Sequence, residues 1–410
     1  MVSDGISGAL PGVHGHQTGP KVIYLDHAAT TPLDPRVLEE MLPYLKHEFG
    51  NPSSIHTPGR RVRFRIEEAR EHAASLIGAE PSEIIFTSGA TESNNTALSR
   101  WLHGESGSLA TSRLEHKSVL NVAMRGEDAG RNVRFVQPEK NGAIAEEQVE
   151  RALGEETGLV SLMWVNNETG WISPIDRISA ICSERGVVFH SDAVQAAGLL
   201  PIALDSGPDL LSLSAHKLNG PKGIGLLAVR NGLDFSPFLV GGSQERGKRG
   251  GTEHVAGIAG FVKALTLAVE ERSERLRHIT ALHRKARKLL AEEFGPCVVF
   301  HSPDPSAQST MGSPHILSVG FLPGTKVVDG EMLLLNLDVE GICVSGGSAC
   351  TSGAVEPSHV LSAMRLNKDI AGSTIRISFG KDTTEDEIER AVETIVAVVD
   401  RMRKLEGARQ

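Results

Sequence analysis

Towards the end of the chain Ile388, Val392, Ile395, Val399 and Met402 recur every three or four residues, with charged positions between them. That spacing lays one apolar stripe along a helix. Thr384, followed three positions later by Glu387, is a capping box and sets the start of that helix. A stripe of this kind is core and carries no chemistry. Residues 60–77 predict a second charged amphipathic helix, stopped by Gly78, and residues 254–294 a nearly continuous helical stretch. Short apolar runs alternate with the helical segments at residues 83–87, 160–165, 186–190, 210–214 and 223–229, and later at 316–319 and 375–379. This alternation favours a mostly parallel sheet with crossover helices. Residues 302–306 form a Pro-rich loop, and no repeat of solenoid period is present.

The 410 residues, 40% hydrophobic and 23% charged, describe a globular chain long enough for two cores. A net charge of -9 and a pI near 6.0 argue against a general nucleic-acid or anionic-membrane surface. The basic run from His283 to Lys288 lies in a helical pattern and is expected to be a solvated face. Four cysteines, Cys182, Cys297, Cys343 and Cys350, show neither a CxxC pair nor zinc-finger spacing. Neither a disulfide framework nor a structural metal is indicated, and a reducing cytoplasm fits. Residues 1–20 lack Lys and Arg and have no apolar core, so they read as a disordered tail rather than a secretory signal. No apolar run reaches the length of about 18 residues that a membrane span requires.

Polar residues cluster where the strands end: Ser88-Gly-Ala-Thr-Glu92, Asn166-Asn167-Glu168, Ser191-Asp192 and Ser214-Ala-His-Lys217. In open α/β sheets that edge binds ligands. A cofactor with an aldehyde, a phosphate and a ring nitrogen needs a lysine, an anion cradle and a carboxylate, and all three are present. Ser88 to Thr91 follow a strand and open a helix, which presents backbone N–H groups and the Thr91 hydroxyl as an anion site; a simple N-cap with Glu92 in the first turn reads equally well. Asn167, Asp192 and Lys217 are spaced 25 residues apart, as for successive strand ends. Alone, Lys217 would be read as an exposed loop lysine, and Cys350, within Ser345-Gly-Gly-Ser-Ala-Cys350-Thr-Ser-Gly353, as an inert small filler. Their joint order is far more specific.

The chain from Val22 to Leu405 resembles the cysteine desulfurases of the NifS/IscS type, in the class-V aminotransferase-like branch of the pyridoxal-phosphate enzymes. The resemblance rests on Tyr24-Leu-Asp-His-Ala-Ala-Thr-Thr-Pro32, Phe49-Gly-Asn-Pro-Ser-Ser54, Thr87-Ser-Gly-Ala-Thr-Glu-Ser-Asn-Asn95, Glu115-His116, Val165-Asn-Asn-Glu168, Ser191-Asp-Ala-Val-Gln195, Ser214-Ala-His-Lys217, Arg249-Gly-Gly-Thr252 and the stretch around Cys350. Position 27 departs from it, being His where the family often has Asn. The chain also ends soon after its last helix, without the extension through which some members bind an iron–sulfur scaffold.

The resemblance implies an α/β fold of the aspartate aminotransferase-like type I: a large domain, residues 38–276, that binds pyridoxal 5'-phosphate on a mostly parallel sheet flanked by helices, and a smaller α+β domain, residues 21–37 with 277–410, that carries the Cys350 loop. It implies that Lys217 is the Schiff-base lysine, Asp192 the partner of the ring nitrogen, and His116 the residue that stacks on the ring and moves protons. Gln195 would bond the ring hydroxyl, with Asn167 near the ring and the substrate carboxylate. Ala90, Thr91, Ser214 and His216 would hold the phosphate, joined by Thr252 from the other subunit of a homodimer. Arg376 would fork onto the substrate carboxylate, a task suited to a guanidinium. L-cysteine would lose its sulfur to Cys350 as a persulfide, leaving L-alanine, and a Gly-punctuated loop would let that sulfur reach an acceptor protein, an iron–sulfur scaffold or a thiolation carrier. A selenocysteine lyase, another class-V aminotransferase or epimerase, and a catalytically silent assembly partner are the alternatives. No resident metal is expected.

Overall fold

The computed structural model describes residues 22–104, 107–233, 236–305, 311–323, 327–346 and 358–405. Cys350 and the tail expected at 1–20 lie outside the described residues. Among the described residues the larger sheet has seven strands, in the order Ile84–Thr87, Gly225–Val229, Leu210–Ser214, Val188–Asp192, Thr157–Ser161, Ser108–Ser112 and Val133–Val136. Gly225–Val229 runs antiparallel to both neighbours, and every other pairing is parallel. Six strands therefore point the same way, and Thr87, Ser112, Ser161, Asp192 and Ser214 all end at one edge.

The strands take these positions because both faces are covered. Ile85, Leu109, Leu159, Leu210 and Leu227 pack with Trp101 and Val119 on one side, while Phe86, Ala110, Val160, Phe189, Leu211 and Leu226 join a second cluster on the other. Burial on both faces explains why such strands read as short apolar runs rather than alternating ones. The Ser108–Ser112 strand escapes pattern reading because its Ser-Leu-Ala-Thr-Ser composition is polar, yet all five residues are buried.

Among the described residues the second sheet is antiparallel and four-stranded: Ser345–Gly346, Ile375–Ser378, Ile316–Phe321 and Val298–Phe300. Its core draws Leu317, Val319, Phe321, Ile375 and Ile377 together with Ile279, Leu282 and Leu290 of the Arg272–Phe294 helix and Ile388, Ile395 and Val399 of the Glu385–Leu405 helix. Ile23 and Leu25 belong to the same core, and Ile23–Tyr24 pairs in parallel with Ile342–Cys343. The capping box at the last helix is present: Glu387 N–H donates to Thr384 Oγ1 at 3.2 Å, and Thr384 N–H to Glu387 Oε2 at 3.0 Å.

The long stretch expected from residue 254 is two helices, Val255–Glu270 and Arg272–Phe294, broken at Glu271. The Glu271 carboxylate takes ion pairs from Arg36 and Arg275. The basic run from 283 to 288 is not a uniformly solvated face. His283 is fully buried and its ring Nδ1 donates to the Pro314 carbonyl at 2.9 Å, because positions 282, 283, 286 and 290 turn towards the second core while Arg284 and Lys288 stay outside. No helix among the described residues is long and apolar enough to cross a membrane.

Candidate active site

A cavity of about 880 Å³ opens at the shared edge of the large sheet, between it and the second sheet. Ala90, Thr91, His116, Asn167, Asp192, Gln195, Ser214, His216, Lys217 and Arg376 all line it, and Thr252 does not. Thr252 is exposed, on the segment held by the Arg249–Glu92 ion pair.

Lys217 ends the short turn Ala215–Lys217 that follows directly on the Leu210–Ser214 strand. Its Nζ donates to the carbonyls of Ala28 and of Ala29, the latter at 2.6 Å. Burial, joined by the nearby charge of Arg376, pushes the ammonium down to about 8, against the pull of Asp26 and Asp192. A sizeable share of free amine near neutrality is what a nucleophilic or basic lysine requires.

Asp192 is the last residue of its strand and 7% exposed. Asn94 Nδ2 donates to its Oδ2 at 2.7 Å and Val194 N–H to its Oδ1 at 3.0 Å, which fixes the carboxylate at the cavity wall. His116 caps the Lys117–Asp128 helix. The Ser118 N–H, which can only donate, points at His116 Nδ1 from 3.2 Å, so the ring accepts at Nδ1 and carries its proton on Nε2. Burial holds His116 below the usual imidazole range; the Asp192 charge opposes this, and Lys217 reinforces it. His216 is likewise kept neutral, lowered to about 4 by burial and by Lys217 and Lys222, and its Nδ1 lies 3.2 Å from Thr30 Oγ1.

The Ala90–His103 helix begins with Gly89 at φ 149°, ψ 174°, a region essentially reserved for glycine, and no side chain among the described residues caps it. Its first N–H groups therefore face the cavity unclaimed by a cap, the arrangement that holds a phosphate. Glycine at 225 makes room: a Cβ there would stand 2.7 Å from Gly89 Cα. Glu92 braces the turn, accepting from Ser88 N–H at 2.8 Å and from Arg249 at 3.0 Å. Burial works against its ionisation, but those bonds prevail and hold the carboxyl below the ordinary range.

Gln195 is held at both ends of its amide. Nε2 donates to the Ala28 carbonyl at 2.9 Å, and Oε1 accepts from His315 Nε2 at 2.9 Å. Arg376 lies mid-strand in the second sheet; its Nη1 donates to the Asn167 carbonyl at 2.8 Å, and its Nη2 to Asp26 Oδ1 at 2.8 Å and Ser345 Oγ at 3.1 Å.

Sequence reasoning gave no role to Asp26, Asn94, Glu168, His315, Ser345 or Ser358. Glu168 is 4% exposed, accepts a short hydrogen bond from Ser358 Oγ, and is pushed by burial up to about 7, against that bond and the charges of Arg376 and Lys117. Asp26, Asn94, Glu168 and Ser345 sit inside the quoted motifs, so their positions are visible, but their partners come from distant segments of the chain. Cys182 is buried, which pushes its thiol up to about 12, as for an inert structural cysteine. Cys343 is half-buried at the end of a two-residue strand. No group of three or more His, Cys, Asp or Glu suited to a metal ion occurs among the described residues.

The donor set fits a phosphorylated aromatic aldehyde: an amine at one strand end, a fixed carboxylate at the next, a neutral imidazole beside both, and an uncapped helix start. Against known families, the model for aminotransferase class-V matches residues 23–391. The chain belongs to this family. Class-V enzymes depend on pyridoxal 5'-phosphate, and Lys217, Asp192, His116, Gln195 and the turn at Ala90 and Thr91 are the residues here that suit it. This class-V member is 44% identical to the putative cysteine desulfurase IscS 1 of Bacillus subtilis, over 93% of this chain and 99% of that one. It is also similar to the solved NifS-like protein of Rickettsia africae, with 32% identity and a TM-score of 0.82, covering 92% of this chain and 99% of the other. SspA in complex with cysteine is 34% identical, with a TM-score of 0.74 over 88% of this chain and 99% of that chain.

Proposed function

We propose that this class-V family member is a cysteine desulfurase that removes sulfur from L-cysteine, releases L-alanine and keeps the sulfur as a persulfide on Cys350. The observation that carries this is one cavity lined at once by Lys217, Asp192, His116 and Arg376, whose wall also includes Gly346 and His359, on either side of the segment that holds Cys350. Relatives named cysteine desulfurase over nearly the whole chain support the same reading.

Bound pyridoxal phosphate supplies an electron sink for the carbon skeleton of the amino acid. The residues do the rest. The first turn at Ala90 and Thr91, with Ser214 and His216, would hold the cofactor's phosphate, and Asp192 would pair with its ring nitrogen and favour the protonated form. Gln195 would meet the ring hydroxyl, and Asn167 would lie by the substrate. Arg376 takes the substrate carboxylate and orients the amino acid. Lys217, once its Nζ is free, removes the Cα proton. Cys350 sulfur then attacks the substrate sulfur: the S–S bond forms, the Cβ–S bond breaks, and its electron pair stays with carbon. His116, protonated on Nε2, exchanges protons with the departing sulfur and the carbon skeleton. L-cysteine and the Cys350 thiol thus give L-alanine and the Cys350 persulfide, with no further reactant.

With purified holoenzyme and a dithiol reductant, L-cysteine is expected to yield alanine and sulfide in a one-to-one ratio. A 2-oxo acid without sulfide would indicate transamination and contradict the proposal.

We divide the chain into a large cofactor-holding domain, 38–276, and a small domain, 21–37 with 277–410; the second sheet's own core supports this, while Val37, Val360, Leu361, Met364 and Ala371 pack into the core of the large sheet. The enzyme acts as a homodimer in the cytoplasm, where thiols stay reduced, and passes its sulfur to an iron–sulfur scaffold or a thiolation carrier. Phe49, Ile55 and Phe64, respectively 84%, 88% and 62% exposed, are large apolar side chains that a second copy would cover. Thr252, exposed and absent from its own cavity, would then meet the partner's phosphate. Thr252→Ala is expected to weaken cofactor retention by about 1–3 kcal/mol, the loss of one hydrogen bond to a charged group. Cofactor content after dialysis, alongside sedimentation, measures this; a fully active monomer would contradict it.

A further inference from the structure

The guanidinium of Arg376 is engaged before any substrate arrives. Its Nη2 already spends both hydrogens, one on Asp26 Oδ1 at 2.8 Å and one on Ser345 Oγ at 3.1 Å. Nη1 gives one hydrogen to the Asn167 carbonyl at 2.8 Å, and Nε is buried without a partner among the described residues. A guanidinium grips a carboxylate bidentately either end-on, through Nη1 and Nη2, or side-on, through Nε and Nη2. Both forks use Nη2. A bidentate carboxylate therefore has to displace Asp26 or Ser345 from Nη2, and whichever group yields, the newcomer settles beside the Asp26 carboxylate. Asp26 is held in place for that contact, since its backbone bridges to Ser378 and the flanking Leu25 is buried.

We propose that Asp26 is an internal competitor for Arg376, an affinity-setting residue that makes the site hold amino-acid carboxylates loosely and so speeds the exit of product. The inference rests on the reading of Arg376 as the substrate-carboxylate residue. Its sign does not depend on which Nη2 partner is displaced, because a negative charge beside an incoming carboxylate opposes binding in either case. Asp26 also bears on Lys217, favouring its charged form. A route through Lys217 would alter the binding of every amine, whereas a route through Arg376 alters only ligands with a carboxylate.

The test compares L-alanine with ethylamine, which is L-alanine without its carboxylate, on the holoenzyme, by calorimetry and by titration of the cofactor absorbance. In Asp26→Asn the L-alanine Kd is expected to fall about tenfold, the size of one like-charge contact in a partly wet site, while the ethylamine Kd stays within about twofold. An unchanged or weaker L-alanine Kd, or an equal shift for both ligands, overturns the proposal. Asp26→Ser, which removes the same charge, replaces the amide variant if that variant does not fold. Arg376→Gln separates the two readings. It should weaken L-alanine and spare ethylamine; if it spares both, the assignment of Arg376 fails and the proposal with it. If Arg376→Gln weakens L-alanine but neither Asp26 variant tightens it, the proposal alone fails.

Discussion

Lys217→Ala is expected to abolish alanine production from L-cysteine, by at least roughly a thousandfold, and to remove the visible absorbance that the bound cofactor gains through that lysine. The loss belongs to chemistry rather than folding. Among the described residues Lys217 Nζ bonds only the carbonyls of Ala28 and Ala29. Ala28 O keeps its bond from Gln195 Nε2, and Ala29 is exposed, so water can replace the missing donor. The cost in stability should stay near 1 kcal/mol. Thermal unfolding of the apoprotein measures that cost, and cofactor content is determined in parallel. Full turnover in the variant would remove Lys217 from the mechanism, and among the described residues no other lysine lining the cavity ends a strand beside Asp192. Lys117 opens a helix, and Lys222 lies beyond Asn219 in the loop that follows.

Cys350→Ala should separate binding from sulfur transfer. The side chains that line the cavity are untouched, so L-cysteine should still change the cofactor spectrum with a Kd within a few-fold of the parent. The nucleophile for the substrate sulfur is gone, and alanine formation should drop by roughly a thousandfold or more. An aminotransferase or epimerase on this scaffold would lose little, since those reactions use the lysine and the ring. Rapid-scan absorbance with L-cysteine, followed by amino-acid analysis, distinguishes the two; undiminished alanine in Cys350→Ala would return Cys350 to the role of a small filler.

Much of the site was legible because strand ends are punctuated in sequence. Asp192 and Lys217 each close an apolar run, and the Ser88–Thr91 turn separates a strand from a helix. The strand Leu210–Ser214 has the same limits in pattern and in structure. What remained hidden depends on contacts between distant segments. Asp26 and Arg376 are 350 residues apart, and their ion pair exists only because the chain start joins the second sheet. Glu168 and Ser358, 190 residues apart, meet for a similar reason. His315 holds Gln195 across 120 residues, and nothing about a histidine in an apolar run announces that partner. The break at Glu271 was missed because local propensity there is helical throughout; two arginines, one of them 235 residues away, claim its carboxylate.

The central claim is that sulfur leaves L-cysteine for Cys350. Intact-mass and peptide mass spectrometry of the holoenzyme, after brief incubation with L-cysteine and thiol trapping, tests it most directly. A gain of one sulfur atom, about 32 Da, is predicted on the peptide that holds Cys350 and is absent from the peptides that hold Cys182, Cys297 and Cys343. Alanine formed with no sulfur on Cys350, or with the sulfur on another cysteine, would contradict it.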